Sequence, residues 1–163
     1  MPQVTKNLRD STIVMNDNVA ETITLAIEEG DLAYTEADGV VRVLDRGDLS
    51  HMRQGDEAAV EGSMSMKYVE FIKQTGAVNP TAYEALSQTG GAAAWVSTNA
   101  DGGDVYTLEM VVTIVSPTTG EDDETITFAF LHAENIEFNE GDEYNTLSFT
   151  FLDWEVRPSY AKV

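Results

Sequence analysis

Residues 57–68, EAAVEGSMSMKY, alternate without a slip: Ala58, Val60, Gly62, Met64, Met66 and Tyr68 hold one parity, and Glu57, Ala59, Glu61, Ser63, Ser65 and Lys67 the other. Side chains repeat every two residues on a strand and every 3.6 on a helix, so a pattern this regular excludes a helix here. It predicts a long β-strand with one face in a core and the other polar and wet.

Weaker patterns of the same kind recur along the chain. In residues 20–27, Ile23, Leu25 and Ile27 alternate with Thr22, Thr24 and Ala26. Residues 32–37 and 40–45 flank Asp38-Gly39, a pair that accepts the positive φ angles of a type I′ turn, and this predicts a hairpin. Residues 46–56, RGDLSHMRQGD, have two glycines and no sustained period, and read as a connecting loop. One helix is expected at about residues 80–88, with Pro80 at its start, Gly90-Gly91 ending it, and an apolar stripe of Ala82, Tyr83, Ala85 and Leu86.

The rest of the chain is β again. Residues 92–98 and 105–116 flank the turn 99–104 and predict a second hairpin, with Tyr106, Leu108, Met110, Val112 and Ile114 on one face. Residues 125–130 follow an acidic corner at 120–124 and should point Ile126, Phe128 and Phe130 inward. Residues 136–138 and 146–156 predict a third hairpin, in which Leu147, Phe149 and Phe151 share a face. Beyond Phe151 the apolar places move to Leu152, Trp154 and Val156, which a β-bulge near Asp153 would produce.

The fold class that follows is mainly β: a β-sandwich or barrel of about eight strands with one short helix and extended terminal arms. A chain of 163 residues is of single-domain size. Its parts are an N-terminal arm at 1–10, a core at 11–156 and a C-terminal arm at 157–163, the arms being of the kind that become ordered on a partner. No internal repeat or low-complexity tract interrupts this.

Charge narrows the function. There are 29 acids against 9 bases, a net charge of −20, and no lysine or arginine between Lys73 and Arg157 while that stretch carries fifteen acids. With 42% hydrophobic residues the chain lies outside the disordered class. Nucleic-acid binding runs on lysine and arginine displacing phosphate counterions, so sequence-specific recognition of DNA or RNA is excluded, and an anionic membrane surface with it. No apolar run reaches the roughly 18 residues of a membrane helix, and residues 1–10 hold no apolar signal core, which points to assembly in a cytoplasm. Cysteine is absent, removing disulfides and thiolate ligands together. Self-repulsion on this scale is tolerable in molar salt, where the Debye length falls to about 3 Å, or under bound cations.

Little in the chain suggests chemistry. His51 lies in the 46–56 segment and His132 continues the parity of Phe128 and Phe130, the mark of a half-buried structural histidine. No serine, histidine and acid constellation is visible, so the chain reads as no enzyme, with no catalytic residue and no cofactor. Hard cations want clustered carboxylates. Asp101 and Asp104 in one turn, and Glu121, Asp122 and Asp123 in another, are candidates for calcium, although Asp104 stands where an EF-hand needs glycine and acidic turns are mostly solvated. Trp95 and Trp154 could make a sugar platform, or fill a core.

The β plan, the single mid-chain helix, the terminal arms and the GDEAAVEGSMSMKY strand together resemble the tail tube (major tail) proteins of tailed viruses and phages, here from a host that could be halophilic. That resemblance implies a structural virion protein: hexameric rings, stacked into a tube through which DNA is ejected, in contact with other tail proteins and touching DNA without binding a sequence. It implies that residues 57–68 help to line the lumen. Glu57, Glu61, Ser63 and Ser65 are then the lumen-facing candidates, followed by Thr125 and Thr127. Lys67 would hold phosphate there unless Glu61 or another acid pairs with it. Residues 46–56 and the arms would join ring to ring.

Two other readings compete. One is a calcium- or carbohydrate-binding β-sandwich module of a surface or fibre protein, and the other a different virion part, such as a capsid decoration or tail completion protein.

Overall fold

The computed structural model describes residues 11–19, 22–26, 30–36, 40–45, 48–55, 58–68, 80–99, 105–141, 145–155 and 157–163. Within them the chain forms β1 (Ser11–Asn16), β2 (Thr22–Ala26), β3 (Gly30–Thr35), β4 (Val40–Asp45), β5 (Asp48–Gln54), β6 (Val60–Tyr68), α1 (Ala82–Ser87), β7 (Leu108–Ile114), β8 (Glu124–Asn139), β9 (Asn145–Asp153) and β10 (Ser159–Lys162). Eight strands make one antiparallel sheet in the order β2-β1-β7-β8-β9-β6-β3, with β10 also on β8, and β4 and β5 pair separately. The protein is mainly β with one short helix, as the alternating patterns predict. The sheet curls without closing into a barrel.

β8 organises the sheet. Its first half pairs with β7 and its second half with β9, and two register shifts bend it between them, one near residues 129–130 and one near 135–136. Asn135 takes the left-handed backbone conformation (φ 48°) that the second bulge needs, and its side-chain amide donates to Thr150 Oγ1 at 3.1 Å. An unbulged strand of sixteen residues would be too straight to follow a curled sheet.

The concave side holds the core. Ile13 and Met15 of β1, Met64 and Met66 of β6, Leu108, Met110 and Val112 of β7, Phe128 and Leu131 of β8, and Leu147, Phe149 and Phe151 of β9 are all buried. Phe128 meets Phe151 edge-on with centroids 5.0 Å apart, and Tyr34 meets Phe128 at 5.4 Å. Each such phenylalanine contributes about 1.5–3 kcal/mol by burial. Tyr34 lies on β3 and Phe128 on β8, three places apart in the strand order, so their contact requires the sheet to wrap round its own core. Along this seam the tyrosine hydroxyls of Tyr34 and Tyr160 are 2.7 Å apart, and Tyr160 donates to Glu36 at 2.5 Å.

The helix expected at about 80–88 spans Ala82–Ser87, capped by Thr81. Thr81 Oγ1 accepts from the Glu84 amide (3.2 Å) while Glu84 Oε2 accepts from the Thr81 amide (2.9 Å), a capping box that satisfies two otherwise orphaned donors. Glu84 is 2% exposed. The helix ends at Gln88, which takes the left-handed conformation (φ 53°), and not at Gly90-Gly91 as expected; Gly90 serves the cap instead, since a Cβ there would stand 2.1 Å from Glu84 Oε1. Ala85 and Leu86 are buried, and the Tyr106 hydroxyl donates to the Ala85 carbonyl at 3.0 Å, tying the helix to the segment that leads into β7.

Several expectations are corrected. β3 and β4 make no hairpin, because β3 pairs with β6, which sets Leu32 opposite Met64 and Tyr34 opposite Gly62 over the core. Residues 48–54, read as loop, form β5 and pair with β4. Residues 92–98 are not a strand; a short 3-10 turn at Gly90–Ala92 leads into a loop, held on β7 by the Thr98 amide donating to the Thr107 carbonyl (2.9 Å). Phe130 is not the inward residue after Phe128, since the first β8 bulge hands that place to Leu131. β9 keeps register with β6 as far as Asp153, which continues inward; directly after it the pairing slips, the Val60 amide donating to the Glu155 carbonyl (3.2 Å), and Trp154 lies 63% exposed rather than in an apolar place. Residues 159–162, expected within an arm, are β10 on β8.

Candidate functional site: a polar wall

The outer face of β6 is the starting point. Because Val60, Met64 and Met66 are buried, the alternation turns Glu61, Ser63, Ser65 and Lys67 to the other side, where Glu61 and Ser63 are exposed and Ser65 and Lys67 half-buried. β9 sets Ser148 opposite Ser65 and Thr150 opposite Ser63, and β3 sets Asp31 opposite Ser65 and Thr35 opposite Glu61. The distal half of β8 adds Glu134 opposite Thr150 and Glu137 opposite Ser148. Four strands thus present one continuous wall of serines, threonines and carboxylates, with Lys67 as the base among them, opposite Thr146.

Local contacts keep the wall in shape. The Asp31 amide donates to Ser65 Oγ (3.2 Å), and Thr150 Oγ1 donates to the Glu134 carbonyl (3.2 Å). Asp31, Ser63, Ser65, Asn135, Glu137, Ser148 and Thr150 surround an open depression on it. Asp31, Glu61, Glu134 and Glu137 give the wall its negative sign.

The candidates named from sequence divide between places. Glu61, Ser63 and Ser65 are together on the wall. Thr125 and Thr127 face outward on the proximal half of β8, opposite Thr113 and Val111 of β7 and opposite Ala161 and Ser159 of β10, so no strand joins them directly to β6. Glu57, Asp101 and Asp104 lie outside the described residues. Glu121 and Asp122 are exposed; Asp123 is half-buried, and its Oδ1 accepts from the Ser116 amide at 2.8 Å. Among the described residues no three or more histidines, aspartates or glutamates are grouped to hold a metal ion. His132 is half-buried and its Nδ1 donates to the Tyr106 carbonyl (2.8 Å).

The wall has further members. Thr146, Ser148 and Thr150 alternate with Leu147, Phe149 and Phe151, a pattern the sequence itself carries. Glu134 and Glu137 are three apart and reach the same face only through the Asn135 bulge, which no local pattern announces.

The architecture is one that other proteins share. No protein-family model matches the sequence, and no curated protein does. Among solved structures, a chain of the anti-feeding prophage (AFP) baseplate, determined by cryo-EM with six-fold symmetrisation, is similar over 99% of this chain and 96% of its own, with a TM-score of 0.58 and 8% identity. A chain of the SPP1 tail tube matches over 98% of this chain and 78% of its own, at a TM-score of 0.49 and 10% identity. At these identities the likeness is one of fold.

Proposed function

We propose that this protein is a structural subunit of a phage-like tail, six copies closing into a ring and rings stacking into a tube that conducts DNA. The observation that carries the reading is the wall on β3, β6, β9 and β8: broad, hydroxyl-rich, negative, and backed by a tightly packed core. It suits the inside of a conduit for a polyanion, where adhesion must be weak along the whole path. The shared fold with a chain of a six-fold symmetrised baseplate supports the same reading. So does the β4–β5 hairpin: a two-stranded sheet standing apart from the main one is marginal by itself, and a neighbouring ring would cover it. The acidity outside the wall suits a medium of high salt, and the particle would be assembled in the host cytoplasm with other tail proteins.

Electron microscopy of the purified protein at low and at molar salt tests this. Six-fold rings or tubes are the expected result; a persistent monomer at both, gaining thermal stability with millimolar calcium, would replace it with the binding-module reading. In assembled tubes, Glu61→Lys with Ser63→Lys should leave the tube intact and slow or stall DNA passage. A reconstruction with Glu61 on the outer surface would remove the lumen assignment while leaving the tube.

A further inference from the structure

β9 and β10 occupy the same edge of β8. Asp153 ends β9 opposite Leu131, and β10 begins at Ser159 opposite Thr127 and runs to Lys162 opposite Glu124. Between these two pairings lies the first β8 bulge, whose backbone groups need partners. Thr98 Oγ1 donates to the Ala129 carbonyl at 2.9 Å, the Phe130 amide donates to Asp153 Oδ1 at 2.9 Å, and the Trp154 amide donates to the Phe130 carbonyl at 3.4 Å. Asp153 therefore seals the bulge from inside the core.

That placement leaves the carboxyl group half satisfied. Asp153 is 0% exposed, and its second oxygen, Oδ2, has no hydrogen-bond partner. From β6 it faces Val60, whose neighbour Glu61 points to the exposed wall; from β8 it faces Leu131 and Phe130, while His132 turns to the outer face; from the preceding loop comes Thr98. The Glu155 carboxylate repels a charge on Asp153, while the backbone amides of Phe130, Glu155 and Trp154 favour one, and burial outweighs them. An ionised Oδ2, wholly buried, has no partner of its own.

We propose that Asp153 is a proton-operated latch for the C-terminal strand. Carrying its proton, the side chain stays in the core, bonded to Phe130, and β10 remains docked. Losing that proton to water, the carboxylate recruits solvent beside Trp154 and the β8 bulge, and β10 separates from β8. β10 is the element built to yield, for all four of its residues are exposed. It is held by its short ladder, by the paired backbone groups of Asp123 and Val163 (3.0 Å each way) and by Tyr160 on Glu36. Its release bares the edge of β8 at residues 124–127 for another strand. Burial raises the Asp153 pKa to about 6, which puts the change within reach of ordinary media.

Hydrogen–deuterium exchange of the intact protein at about pH 5 and about pH 7.5, corrected for intrinsic exchange, tests the latch. Amides of residues 159–163 should lose roughly tenfold or more of their protection at the higher pH, those of β7 should not, and Asp153→Asn should abolish the difference. Equal protection at both pH values in the wild type overturns the latch, as does an unchanged pH response in Asp153→Asn. If that variant fails to fold, a carbon-13 titration of the wild-type Asp153 carboxyl decides: a midpoint in the ordinary aspartate range near 3.9 overturns it.

Discussion

Gly62 lies under the ring of Phe151, so close that a Cβ at this position would stand 2.3 Å from Phe151 Cζ and 2.8 Å from the Ala33 carbonyl oxygen. The missing side chain is what lets the β9 aromatic and the β3 backbone converge on β6.

Gly62→Ala should therefore destabilise the protein by about 1–3 kcal/mol, because a rigid ring and a backbone oxygen must both move. Urea unfolding measures it, and a loss below about 0.5 kcal/mol would mean that the sheet adjusts freely there.

The helix has only six residues and depends on its cap. Thr81→Ala should cost about 1 kcal/mol. Gly90→Ala should cost more, since it meets the Glu84 carboxylate and holds φ at +53°. Thermal unfolding of the two variants gives the ranking, and the reverse order would contradict the role given to Gly90.

Asp153 fixes the sign of one pH effect. Its pKa is raised in the folded protein to about 6 from an ordinary value of 3.8, so the stability it contributes is complete below about pH 4 and lost as pH rises through 6. At 1.36 kcal/mol per unit the loss approaches roughly 3 kcal/mol. Asp153→Asn should remove this component, so that the stability difference between variant and wild type grows across that window in the variant's favour. A difference that does not change with pH would mean that Asp153 titrates normally.

A net charge of −20 implies strong self-repulsion at low ionic strength. The unfolding temperature should rise by several degrees between about 0.05 and 2 M potassium chloride, most of it below about 0.5 M, where screening changes fastest. Calorimetry at constant pH reads it, and a flat response would show the acids to be compensated by pairing.

How far the sequence foretells this structure depends on what each element leans on. β6, β7 and the β8–β9 hairpin have a core behind them, and alternating burial writes itself into alternating residue types. β5 belongs to a two-stranded sheet apart from the main one, and residues 48–54 carry no sustained period in their sequence. Asp38-Gly39 is a good turn pair, yet a turn signal says nothing about which strands will pair. The core contacts of Leu32 and Tyr34 decide that, by drawing β3 to β6. Asp153 and Trp154 invert the usual rule: the bulge in β8 needed an acceptor more than the core needed an indole. The wall was half legible, through Glu61, Ser63 and Ser65, and the rest required knowing that β3, β9 and the bent end of β8 stand beside them.

The strand order has a consequence for synthesis. β1 finds its inner neighbour in β7, with Thr12 opposite Thr113, and β6 finds its own in β9, with Val60 opposite Asp153. Early strands thus wait for late ones, and closing loops of this length delays folding. A ribosome-bound chain ending near residue 140 should still be open to protease, and resistance should arrive only once β9 has emerged.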